Sequence, residues 1–232
     1  MLRPEPTPLL WRDDGGPVVD REHAERHLSL ADPALGRIIS RVGSLTLAPP
    51  TLGSPFHYLQ RAIVYQQLSG KAAATIFGRF LEIYGGKRPP SARRILATPD
   101  AKLRGAGLSG AKIRAIKDLA RHAEIGTIPG HRDLPGLESD EIVERLCRIR
   151  GIGRWTAEML LIFYLGHPDV LPLGDLGIMK GFAVTVGMRR LPAERTMARR
   201  GERWRPYRSI ASWYLWRAVD LGLTKTPADA QD

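Results

Sequence analysis

An all-α fold is predicted by three observations. No stretch of useful length alternates apolar and polar residues with a period of two, apolar positions from Asp32 onward recur at helical spacing, and caps and breakers punctuate that pattern. The first 30 or so residues are poor in periodicity and rich in proline and charge, so 1–35 is expected as an N-terminal arm or short irregular segment. The run DPALGRIISRV opens the first helix at Asp32. Ser54 and Pro55 suit an N-cap and a first helical position, for a helix running to Leu68; Ser69 then opens a helix that stops near Gly85 and Gly86. Further helices are expected at about 91–97, 109–123, 139–148, 154–165, 175–186, 193–203 and 207–221, with no internal repeat.

The most informative stretch is LCRIRGIGRWTA, Leu146 to Ala157. EIVERLCR reads as the end of one helix, Gly151-Ile152-Gly153 as a turn that only glycines fit without strain, and WTAEMLLIFYLG as a second helix. A Gly-x-Gly turn lets the chain approach a phosphate with no Cβ in the way. It also leaves amide N–H groups at a helix N-terminus, where the helix dipole favours an anion. Gly151, Ile152, Gly153, Arg154 and Thr156 are therefore expected to contact a DNA backbone.

This pattern resembles the helix-hairpin-helix (HhH-GPD) superfamily of base-excision DNA glycosylases, and within it the 3-methyladenine DNA glycosylase II, AlkA-like, group. The resemblance rests on four blocks in order: AIVYQQLSGKAA, GLSGAKIRAIKDLA, the hairpin with LPLGDLGIMKGF after it, and ERWRPYRSIASWYLWR, together spanning roughly 36–221. It implies two helical lobes with the active cleft between them, a central lobe at about 91–190 and a second from both flanking parts of a 36–232 domain. A lysine two residues after the second hairpin glycine marks the relatives that also cleave the strand; here that position is Trp155. The family's aspartate matches Asp175, 20 positions further on.

A carboxylate suits the chemistry. Breaking an N-glycosidic bond builds positive charge on the sugar, which a negative group beneath it stabilises while aligning water. Asp175 also stands where a helix to Val186 would take its N-cap, and one residue can serve both ends. A base inside duplex DNA must be extruded to be reached. The resemblance implies Trp155 and Trp216 as aromatic walls of the base pocket, attracting a cationic base through their faces, with Met159 where a relative has tyrosine. It implies Gln67 as the wedge filling the vacated stack, and a monovalent sodium or potassium ion held by the carbonyls of Cys147, Ile149 and Ile152. No other cofactor is expected. Trp213 and Tyr214 read instead as packing of the last helix.

Charge and cysteine content narrow the classes further. The 232 residues carry a net charge of +11, concentrated in two runs: 87–117 has nine Lys/Arg against Asp100, and 179–208 has nine against Glu194 and Glu202. Such patches suit a polyanion. Cys147, the single cysteine, excludes an intrachain disulfide and a four-cysteine iron–sulfur cluster, and it is expected as a small core residue. His23 and His27 flank Ala24, not the glutamate of a zinc protease motif. No long apolar run suggests a membrane span or signal peptide, so a cytoplasmic, chromosome-associated monomer acting on double-stranded DNA with alkylated bases is expected. The reading is a monofunctional glycosylase of base excision repair. Its alternatives are a bifunctional glycosylase/lyase and a non-catalytic DNA-binding module.

Overall fold

The structure, a computed structural model, describes residues 10, 19–47, 53–130, 133 and 137–223. Among them it is all-α, with no strand. In chain order the helices are α1 (Arg21–Ala31), α2 (Pro33–Val42), α3 (Pro55–Tyr65), α4 (Gly70–Glu82), α5 (Ala92–Ala97), α6 (Asp100–Gly105), α7 (Gly110–Glu124), α8 (Ser139–Cys147), α9 (Arg154–Phe163), α10 (Leu176–Val186), α11 (Glu194–Gly201) and α12 (Arg208–Asp220). A 3-10 turn, Glu202–Trp204, separates the last two.

Two helices stand outside the expectation. Within the segment read as an irregular arm, Asp20 caps α1 by accepting the His23 N–H at 3.1 Å, and only Ala24 and Leu28 are buried. Two apolar positions one turn apart are too faint a period to see in a charged segment. The short α6 buries Leu103 alone, for the same reason. The remainder of the expected arm, at 1–9 and 11–18, lies outside the described residues.

The chain divides into two compact units, residues 1–49 with 161–232, and residues 50–160. The hairpin-bearing unit thus begins well before residue 91, because α3 packs on both α4 and α7. Its core gathers Leu59, Ile63, Phe80, Ile95, Ile113, Ile116 and Leu146, all essentially inaccessible to solvent. In the other unit α10 packs on α12 and α2. The approach of α10 to α12 is close enough that a Cβ on Gly181 would lie 2.1 Å from the Leu215 carbonyl oxygen. Asp32 does double duty there. It caps α2 through the Ala34 N–H, and, fully buried, it accepts Arg200 at 2.6 and 2.7 Å and the Trp204 indole at 3.0 Å. Burial pushes its pKa up, but those donors outweigh burial and hold it below the usual carboxylate value.

Candidate active site

Asp175 is the N-cap of α10, its Oδ1 accepting the Ile178 N–H at 2.8 Å. The same oxygen accepts the Trp216 indole N–H from α12 at 2.9 Å. Capping and a further role are therefore compatible, since a capping carboxylate sits at the open end of its helix. Trp216 does not present two open faces: Phe163 stacks on it at 5.3 Å between ring centroids and 27° between planes. Trp213 and Tyr214 are buried, as core residues of α12.

The hairpin follows α8. Gly151 has φ 82° and a Cβ there would meet Ala115 Cβ at 2.9 Å, so this position needs glycine twice over. Gly153 does not share the first constraint. Its φ is not positive and nothing lies within 4 Å of its Cβ position, so only close approach of a ligand would require glycine there. The buried Ile152 turns its N–H to the Ile149 carbonyl at 3.0 Å. Arg154 starts α9 with its guanidinium engaged by Glu158, at 3.0 Å, and by Asp140. Thr156 is buried. Cys147 is exposed rather than core, because the buried face of α8 is Ile142, Val143 and Leu146 and residue 147 falls off it.

Gln67 occupies the turn between α3 and α4, exposed and with φ 57°, the one non-glycine residue of positive φ among those described. The expected helix to Leu68 stops at Tyr65 because Gln66 leaves helical geometry, at φ −51° and ψ 133°, and its side-chain amide donates to the Gly151 carbonyl at 2.8 Å. A cavity of about 440 Å³ opens here, lined by Tyr58, Arg61, Ala62, Tyr65, Gln66, Gln67, Trp155, Thr156 and Met159. Trp155 and Met159 from α9 thus meet Gln67 around one space, with Trp155 52% exposed. The α3 residues Tyr58, Arg61 and Tyr65 escape the sequence reading, although their spacing of three and four marks one helix face. Arg61 lies over the Tyr65 ring at 4.0 Å, placing a guanidinium among the walls of a pocket for which the sequence offers Trp155, Trp216 and Met159.

The basic runs are partly spent inside the protein. Arg200 pairs with Asp32, Arg205 and Arg208 with Asp169, Lys117 with Asp100, and Lys112 donates to the Val64 carbonyl at 2.7 Å. Among the described residues no cluster of three His, Cys, Asp or Glu could hold a metal, and no helix is long and apolar enough to cross a membrane.

Comparison with known proteins identifies the fold. Residues 60–206 match the HhH-GPD superfamily of base excision DNA repair proteins. DNA-3-methyladenine glycosylase 1 of Schizosaccharomyces pombe is 36% identical over 208 residues, covering 88% of this chain and 90% of its own. The solved DNA-3-methyladenine glycosidase of Bacillus halodurans superposes with a TM-score of 0.78 at 34% identity, over 89% of this chain and 91% of its own. The Schizosaccharomyces pombe 3-methyladenine DNA glycosylase in complex with abasic DNA gives 0.73 at 35% identity, over 88% and 100%. With the hairpin, the capping aspartate and Trp155 in the positions described, the chain belongs to the HhH-GPD superfamily of base excision DNA repair proteins.

Proposed function

We propose that this DNA-repair glycosylase releases alkylated purines of the 3-methyladenine and 7-methylguanine type from double-stranded DNA by water attack, without cleaving the strand. The observation that carries the reading is Asp175, a carboxylate oriented by two N–H donors at the open start of α10. It stabilises the oxocarbenium-like sugar and aligns the water. Trp155 in place of lysine removes the amine that a Schiff base would need, which disfavours the bifunctional alternative. The cavity beside Gln67 is of a size to take an extruded purine, with Trp155 and Met159 as walls and Gln67 entering the stack. Arg61 offsets the attraction of the aromatic faces for a cation, so the weakened glycosidic bond of the lesion dominates selection.

The hairpin grips a phosphate through Gly151, Gly153 and the first amides of α9, while the Ile152 N–H is spent on the Ile149 carbonyl. The monovalent cation implied by the family fits the neutral carbonyls of Cys147, Ile149 and Ile152, which are hard oxygen donors. Ile149 retains a second lone pair beside the bond it accepts from Ile152. Those carbonyls would hold the ion, whose positive charge would favour a nearby phosphate. The enzyme works as a monomer in the cytoplasm, on the nucleoid if the cell is bacterial.

A panel of duplexes, each with one modified base and scored for abasic-site release, tests this. The methylated purines are expected to react much faster than hypoxanthine or uracil, with no borohydride-trapped adduct. Asp175→Asn keeps the cap and both donors, so folding and DNA affinity persist while release falls by orders of magnitude. Full activity in that variant, or uracil as the best substrate, would overturn the reading.

A further inference from the structure

We propose that Trp216 is a positioning residue for Asp175, and that Gly177 is glycine because the indole fills the space a side chain there would need. The inference rests on Asp175 being the catalytic carboxylate. Gly177 is the second residue of α10 and has no positive φ, so backbone geometry does not call for glycine. Within a helix glycine is less favourable than alanine by roughly 0.5–1 kcal/mol. Space supplies the reason. A Cβ at Gly177 would lie 2.7 Å from Trp216 Cδ1, 3.0 Å from its Nε1 and 3.0 Å from Asp175 Oδ1. The indole has little room to yield, since Phe163 stacks on its face.

An N-cap aspartate alone has one backbone donor and can swing about it. Here Oδ1 takes the Ile178 N–H along α10 and the Trp216 N–H across from α12, so the carboxylate is tied from two elements. A charge held fixed before the reaction stabilises the transition state without reorganising. Trp216 thereby serves the carboxylate through its N–H edge, where the family resemblance alone suggests a stacking wall for the base. Of its faces, at least one is covered by Phe163.

The test uses the full chain and single-turnover release of 7-methylguanine, alongside affinity for a duplex carrying an abasic-site analogue. Trp216→Phe keeps an aromatic ring beside Phe163 but has no N–H, and Gly177→Ala pushes the indole off the carboxylate. Each is expected to slow release about 10- to 100-fold, the loss of one hydrogen bond to a charged group. Affinity for the analogue should stay within about twofold. Because both changes remove the same bond, the double variant should be no slower than the slower single one. Release per folded molecule at the wild-type rate in Trp216→Phe, or a double variant slowed by the product of the singles, would overturn the proposal. Should Gly177→Ala fail to fold, Trp216→Phe decides alone, as it introduces no added atom. A wild-type protein that releases no alkylated base would instead overturn the functional reading itself.

Discussion

His167 shows how one side chain ties stability to pH. Its Nδ1 accepts the Asp169 N–H at 3.2 Å and is therefore the unprotonated ring nitrogen. Burial pushes its pKa down to about 4, the nearby Asp169 carboxylate opposing and Arg208 reinforcing that shift. The unfolded chain binds this proton near pH 6.5, the folded one only near 4. Stability from this group is thus complete above about pH 6.5 and is lost as pH falls from there to 4, by on the order of 3 kcal/mol. Asp32, also held below its ordinary value, adds its loss only below about pH 3.8. Urea unfolding at stepped pH is expected to show the first window, and His167→Asn, which retains an acceptor but does not titrate, should flatten it. An unchanged slope would assign the proton elsewhere.

At the scale of elements, the contact of α10 with α12 positions the candidate carboxylate. Gly181 on α10 lets Leu215 of α12 approach backbone to backbone, and Trp216, next in sequence, reaches Asp175 from that same stretch. Gly181→Ala would set its Cβ 2.1 Å from a carbonyl oxygen that no rotamer change can move. A helix displacement is then required, costing about 3 kcal/mol or more. A lowered urea midpoint together with slowed base release is the expected outcome. A stable, fully active variant would show that the α10–α12 contact does not set the site.

Across the whole molecule, charge governs the encounter with DNA, and the ion pairs sort which cations are available. Arg189, Arg190 and Arg195 are exposed, as are Lys102 and Arg104, whereas Arg200 and Arg208 are held in part-buried pairs with Asp32 and Asp169. Log affinity is expected to fall linearly with log salt, at a slope near −0.9 per phosphate neutralised. Reversing an exposed cation in a DNA-contacting run should shallow that slope, while Arg208→Glu should instead lower stability, by removing one of the two guanidiniums that hold Asp169 and setting a carboxylate beside it. Equal slopes after reversal at Arg104 and Arg189 would make both runs plain solvated surface.

What the sequence by itself determined is local: where most helices begin and end, the all-α class, the turn at Gly151, and Asp175 as both cap and candidate acid. Caps, breakers and periodicity act within a few residues, so they are readable wherever they are strong. They fail where the signal is weak, as in α1 with two buried positions, or where a distant partner intervenes, as at Gln66, whose amide bonds to Gly151 and whose turn ends α3 early. Only tertiary structure exposed Cys147, brought Arg61 and two tyrosines of α3 to the wall of the Trp155 cavity, and spent part of the basic runs on internal carboxylates. It also set the Trp216 indole N–H on Asp175, 41 residues away in sequence. A contact at that separation depends on the packing of two helices and on the missing side chain of Gly177 between them, neither of which leaves a mark on local propensity.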